Sequence, residues 1–485
     1  MENKKTQYET VIGLEVHIEL CTKTKIFCSC STAFGSEVNV NTCPVCTGMP
    51  GSLPVLNKKV VDYAIAVGLA LNCNITKVTT FDRKNYFYPD NPQGYQISQL
   101  YHLICTNGYV TIQTDSGERK IGIHELHKEE DAGKLIHDEE CNCTYIDFNR
   151  SGVPLIEIVT EPHMSSGDEV IKFLEKLRCM IQYLEVSDCK LQEGSMRVDV
   201  NVSVRKKGDI KLGTRTEMKN LNSFRAITRA IDHETKRQIE LIKKGDQVQQ
   251  ETRRWDDGKG TSYVMRSKED AKDYRYFPEP DLPPVVISND WINAIRENQP
   301  EFREEKIDRY QKQYNLPEYD SRLLTESKQM AQCFEQTTLL CNRPKEVANW
   351  LMVETMGLLK DRGNDSGKIP FSPKQLADLI VMIDKNIINR TVAKEVFERI
   401  FYDGVEPVSY VKEHGLAMVQ DDDSIRFAVE QVIKENSQSV EDYMAGKTRA
   451  MGFLVGQTMK AMKGKADPKK VNQLVEAYLK TLTNI

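Results

Sequence analysis

Residues 11–20 read VIGLEVHIEL, and residues 196–205 read MRVDVNVSVR. In the first stretch Leu14, Val16, Ile18 and Leu20 alternate with Glu15, His17 and Glu19. In the second, Met196, Val198, Val200, Val202 and Val204 alternate with Arg197, Asp199, Asn201, Ser203 and Arg205. Successive side chains of a β-strand point to opposite faces, so each stretch reads as a strand with one apolar and one polar face. Residues 155–160, LIEIVT, read as a third strand, interrupted by Glu157. Helices intervene, notably residues 223–243, with Ser223 as the N-cap and Gly245 as the stop. Long strands with helices between them predict an α+β fold.

Outward from these strands the pattern changes near residue 290. Pro278, Pro280, Pro283 and Pro284 cannot continue a helix or a central strand, so a domain boundary is expected just after them. Beyond it the periodicity is helical to the end, punctuated at residues 362–373 and by Asp421–Asp423. The last stretch, from Gly446, carries Lys447, Arg449, Lys460, Lys463, Lys465, Lys469, Lys470 and Lys480 against Asp467 and Glu476. Such a basic tail suits phosphate contacts, although lysine-rich helices are also ordinary solvated faces.

The 485 residues allow two to four domains. Net charge is -5, so nucleic-acid contact has to come from a local patch. No apolar run approaches the roughly 20 residues of a membrane span. The first residues, MENKKTQYET, have neither a signal-peptide nor a transit-peptide pattern, and a cytoplasmic protein is the expectation.

Thirteen cysteines, an odd and scattered set, argue against a disulfide framework. Cys28-x-Cys30 and Cys43-Pro44-Val45-Cys46 place two thiol pairs on short turns. Four soft ligands suit tetrahedral Zn²⁺ in a closed, structural shell. Glu15 and His17 lie about 7 Å apart on one strand face. Glu129, Glu130, Asp131, Glu157 and Glu217 add further acid. Two readings stay open for these groups: a cavity binding Mg²⁺ with substrate phosphates, or solvated and salt-bridged faces. His124-Glu125-Leu126-His127 lacks the spacing of a zinc-protease helix. Gly258-Lys259, Gly367-Lys368 and Gly464-Lys465 lack the glycine and Ser/Thr of a phosphate-binding P-loop, so any ATP must be held by metal and basic side chains.

Longer strings are more specific. Residues 9–17 (ETVIGLEVH), 81–90 (FDRKNYFYPD), 95–99 (YQISQ), 127–133 (HKEEDAG), 154–157 (PLIE), 217–223 (EMKNLNS) and 273–278 (DYRYFP) resemble the GatB family along the whole chain. The resemblance implies one component of a glutamine-hydrolysing aminoacyl-tRNA amidotransferase, a carbon–nitrogen ligase. With ATP it would phosphorylate the side-chain carboxylate of Glu-tRNA(Gln) or Asp-tRNA(Asn), and ammonia would displace the phosphate. An amidase, the A subunit, would supply the ammonia, and a small C subunit would brace a heterotrimer. By the same resemblance His17, Glu130 and Glu157 would hold one Mg²⁺, and Glu15, Glu130 and Glu217 a second. Lys84 would stand at the mouth of an ammonia channel. Arg197, Asp199 and Asn201, on the polar face read from the alternation, are assigned together with Lys219 to contacts with ATP or the aminoacyl end. The implied organisation is a catalytic cradle over residues 1–292, a helical domain over 293–407, and a tail over 408–485, YqeY-like in its C-terminal part, on the tRNA. Two other classes compete: a metal-dependent ligase or kinase acting on a small carboxylic acid, and a zinc-bearing RNA-binding scaffold.

Overall fold

Nine strands of the first unit join one sheet in the computed structural model, which describes residues 7–267, 274–361, 368–418, 421–462 and 465–483. Asp273, Lys463 and residues 362–367 of the expected break lie outside the described residues. The strands are β1 (Tyr8–Glu19), β2 (Asn74–Ile75), β3 (Cys105–Thr114), β4 (Gly117–Glu130), β5 (Pro154–Thr160), β6 (Met196–Lys206), β7 (Thr216–Lys219), β8 (Glu251–Asp256) and β9 (Thr261–Ser267). Their spatial order is β9-β8-β7-β6-β1-β5-β4-β3-β2, so β1 is inserted between β5 and β6. Among the described residues only β7 and β8 run parallel. The crossover between them is the helix Phe224–Lys244, as parallel neighbours require.

One face of the sheet is covered by the helices Lys58–Ala70, Gly167–Tyr183 and Phe224–Lys244. Ile12, Leu14, Val16 and Ile18 of β1 and Val198, Val200 and Val202 of β6 share a core with Val60, Phe173, Leu174, Ile227 and Ala230 of those helices. Burying each such aliphatic side chain contributes about 1.5–3 kcal/mol. The opposite face of this largely antiparallel sheet keeps its polar residues, several of them buried beneath other segments of the unit. The expected caps are present: Ser223 Oγ accepts from the Ala226 amide at 3.0 Å, and Gly245 ends the helix at φ 85°, a conformation glycine takes without strain.

The first compact unit ends at Phe302 and the second begins at Arg303. In the first, the helix Asn289–Glu297 packs back on Lys58–Ala70, with Trp291 Nε1 donating to Asp62 at 2.8 Å. The second unit is helical and contains two cores, one spanning Tyr310 to Val411 and one spanning Ile425 to Leu479. Sheet and helices together make the fold α+β. No helix among the described residues is long and apolar enough to cross a membrane.

A charge breaks the apolar side of the sheet. Lys128 of β4 is fully buried, its Nζ lies 4.6 Å from the Phe81 ring centroid, and it has no hydrogen-bond partner among the described residues. Burial pulls its pKa from 10.5 down to about 7. The unfolded chain therefore binds more protons than the folded one between about pH 7 and 10.5, so this lysine destabilises most at low pH. Lys128→Met, of similar shape, is expected to raise the melting temperature by about 2–6 °C at neutral pH, from roughly 1–3 kcal/mol of relieved desolvation. The gain should be full below about pH 7 and shrink towards pH 10. Calorimetry of both proteins across that range checks it, and a lower melting temperature for the variant would contradict it.

Candidate catalytic face

Register carries the polar residues of separate strands into rows. Across β4, β5, β1 and β6 one row runs His127, Glu157, His17, Arg197, and the next runs Glu125, Val159, Glu15, Asp199. Glu157 is the hub. Its Oε2 lies 3.3 Å from His17 Nε2 and 3.3 Å from His127 Nε2, while Glu129 Oε1 lies 3.8 Å from His17 Nε2. Burial alone would lower the pKa of His17, but Glu157 and Glu129 outweigh it and raise it to about 9. The two imidazoles in turn hold Glu157 and Glu129 below the usual carboxylate range, against the burial that favours their neutral forms.

A second cluster lies on β1, β6 and β7. One carboxylate oxygen from each of Glu15, Asp199 and Glu217 falls within 4.8 Å of the others, as do the donor atoms of His17, Glu129 and Glu157. Asn201 donates to Glu15 Oε1 at 2.9 Å, and Thr252 Oγ1 donates to Glu217 Oε2 at 2.8 Å. Lys219 bonds Asp199 and reaches Glu217 at 3.1 Å. Asn201 Oδ1 is buried without a hydrogen-bond partner among the described residues. Two carboxylate clusters and that orphaned oxygen fit divalent cations that share their shells with phosphate oxygens. A cleft lined by Gly13, Glu15, Thr160, Asn201, Thr214 and Arg215 adjoins the second cluster.

Lys84 reaches the first cluster from a small sheet formed by Asp82–Asn85, Tyr95–Ser98 and Phe277–Pro278. Arg83, bonded to Glu279 at 2.6 Å, fixes that strand, and the Lys84 ammonium lies 4.9 Å from the Tyr274 ring centroid. Burial opposes its charge, but Tyr276, Glu129 and Glu157 overcome this and push its pKa upward.

Glu130 stands apart from both clusters. Strand parity turns it to the opposite side of β4 from His127 and Glu129, so it joins neither cluster. Its Oε1 accepts from the Ile97 amide at 2.9 Å and from Gln93, and burial pushes its pKa up to about 8. Glu129 stands beside His17 and Glu157, and Asp199 beside Glu15 and Glu217, where Glu130 was expected twice. His127 joins the first cluster too, although its tetrapeptide matched no motif. Alternation of Glu125, His127 and Glu129 was the available signal. Arg197 lies on this face, paired with Asp131 at 2.9 Å. Beside it Glu19 is raised to about 8 by burial and by Asp131.

Glu130 instead lines a cavity with Lys25, Cys28, Cys46, Gln93 and Tyr95. The sulfurs of Cys28, Cys30, Cys43 and Cys46 lie within 4.8 Å of one another, with 3.9 Å between Cys43 and Cys46. Tetrahedral zinc places its sulfurs about 3.8 Å apart. Cys46 is drawn towards thiolate by the Cys28 thiol and by Lys25, whose ammonium donates to Cys46 Sγ at 3.4 Å. The four cysteines could hold a zinc ion.

Residues 10–293 match the GatB/GatE catalytic domain family, and residues 332–479 match the GatB domain family. The chain belongs to the GatB family. The match to the GatB/GatE catalytic domain spans β1 to β9 and thus both clusters. Three GatB relatives are named as the B subunit of aspartyl/glutamyl-tRNA(Asn/Gln) amidotransferase. The protein of Lachnoclostridium phytofermentans is 61% identical and that of Agathobacter rectalis 63% identical, each covering 97% of this chain and 99% of the relative. The protein of Lachnospira eligens is 60% identical over 98% of this chain and 99% of its own.

Proposed function

We propose that this GatB-family chain is the B subunit of a tRNA-dependent amidotransferase, converting the glutamate of Glu-tRNA(Gln), the aspartate of Asp-tRNA(Asn), or both, to the amide. The observation that carries this reading is the full-length similarity to relatives bearing that name, with two carboxylate clusters side by side on one sheet face. A carboxylate resists ammonia, so the side chain must first be activated. Its oxygen bonds to the γ-phosphorus of ATP and ADP leaves. Ammonia then adds to the acyl carbon, inorganic phosphate leaves, and the nitrogen gives up a proton.

His17, Glu129 and Glu157 would hold one Mg²⁺, and Glu15, Asp199 and Glu217 a second. Bound there, Mg²⁺ neutralises charge on the transferring phosphoryl group. Arg197 and Lys219, each already pinned by a carboxylate, hold positive charge at the rim of the two clusters. Lys84 keeps its proton and directs it at the face where the substrate carboxylate must lie. The cleft beside Glu15 and Asn201 has room for nucleotide groups. Ammonia comes in this reading from an amidase partner, the A subunit, with a small C subunit completing a cytoplasmic heterotrimer. The organisation would be a cradle over 1–292, a helical module over 293–407 and a tRNA-contacting tail over 408–485.

The test is transamidation of Glu-tRNA(Gln) and of Asp-tRNA(Asn) by the assembled complex, with ATP, Mg²⁺ and ammonium chloride. Amide formed in step with ADP supports the reading. No product from either tRNA would overturn it in favour of a ligase acting on a small acid.

A further inference from the structure

A second group of thiols lies outside both faces described so far. Residues 137–143 read HDEECNC, at the tip of a hairpin whose strands are Lys134–Asp138 and Cys143–Asp147. Asp138 and Cys143 face each other as the last pair of the ladder. Asn142 takes a left-handed φ of 47°, which asparagine tolerates, and this turn returns the chain between Cys141 and Cys143. Asp138 Oδ1 accepts the amides of Glu140 and Cys141, each at 3.0 Å. One carboxylate oxygen therefore fixes the turn, and the other can meet a ligand.

One donor atom from each of Asp138, Cys141 and Cys143 lies within 4.8 Å of the others. A tetrahedral zinc centre needs about 3.8 Å between sulfurs, so a small closure of the tip suffices. The hairpin base is held without any metal: Asn39 donates to the Ile146 carbonyl at 2.9 Å and accepts from the Phe148 amide at 2.7 Å. His137 faces the other way, bonded to Thr144 at 2.9 Å, and adds no fourth ligand. Both thiols are exposed, and Glu139 and Glu140 add negative charge around them.

We propose that Asp138, Cys141 and Cys143 form a second metal site, taking a thiophilic divalent cation such as Zn²⁺ with one coordination position open. On binding, both thiols give their protons to solvent as the metal–sulfur bonds form. Three donors and solvent access make this ion exchangeable, in contrast to a closed four-thiol shell. The proposal is independent of the amidotransferase reading.

The experiment is a Zn²⁺ titration of the full chain, reduced and stripped of metal, against a chromophoric chelator. Co²⁺ follows as a second probe, because its thiolate absorption reports metal–sulfur bonds. The expected result is two equivalents bound through thiolate, one tight and one weaker. Cys141→Ser with Cys143→Ser should remove only the weaker one and cut the Co²⁺ absorption by about a third, two thiolates of six. Asp138→Asn should weaken that equivalent by roughly ten- to a hundredfold, a scale on which even outer-shell partners of a metal act. A weaker equivalent that survives the double substitution, or that is missing from the unaltered chain, would overturn the proposal.

Discussion

Glu157→Gln is expected to cut ATP-dependent amide formation by about 10²–10³-fold, with ammonium chloride as well as with glutamine as the nitrogen source. The carboxylate lies between two imidazoles at 3.3 Å each, and both depend on its charge. Glutamine keeps the volume and one acceptor but removes the negative charge. With no cation bound, His17, raised to about 9 largely by Glu157, would fall towards its ordinary range and offer a weaker partner to Glu129. A cation held by His17, Glu129 and Glu157 would lose one of its two anionic ligands. The damage should be confined to this chemistry. The side chain sits on the polar side of the sheet, away from the helical core, so complex assembly and glutamine hydrolysis by the partner should be retained. Rates are compared in the assembled complex with either nitrogen source. A variant turning over within about tenfold of the unaltered enzyme would remove Glu157 from the site.

That Glu157 needs close partners was legible early, because an acid inside an apolar strand is costly unless something binds it. The long strands β1 and β6 were equally legible, since each has one parity that is apolar through Ile12–Ile18 and Met196–Val204 respectively. β4 was not. Its last residues, Glu125-Leu126-His127-Lys128-Glu129-Glu130, carry charge on both parities, so alternation cannot say which side faces the catalytic surface. Only pairing with β5, which sets His127 against Glu157 and Leu155 against Glu129, decides it. That pairing joins residues far apart in sequence, and a one-residue shift would exchange the two faces. The same limit explains Asp199. Its place on a polar face followed from period two, but its meeting with Glu15 and Glu217 needs three strands in register. The cysteine cluster was the opposite case, because its spacing is local.

Removing that cluster should produce the other large effect. Cys43→Ser with Cys46→Ser, or stripping the metal from the unaltered chain, is expected to lower the melting temperature of the first unit by about 10 °C. A loss of only about 3–5 kcal/mol suffices, well inside the free energy that structural zinc sites contribute. The cluster joins segments flanking two strands of the candidate site. Residues 20–30 follow β1, and residues 150–153 precede β5. Lys25 bonds the Cys30 carbonyl through its amide at 3.0 Å, Ile26 bonds the Gly152 carbonyl at 2.9 Å, and Ser151 Oγ donates to the Cys46 carbonyl at 2.9 Å. In the double variant the buried Lys25 ammonium would keep, among the described residues, only the Phe148 carbonyl, 3.1 Å away, and an ammonium so poorly compensated is costly. Reloading the stripped chain with Zn²⁺ should restore the transition, whereas the double variant should not respond. Because a closed four-thiolate shell has no position for substrate, turnover well below the melting temperature should stay within about tenfold of normal. Identical melting temperatures for stripped and reloaded protein would show that the four cysteines do not staple these strands together. A loss of turnover without loss of stability would move the zinc from scaffold to chemistry.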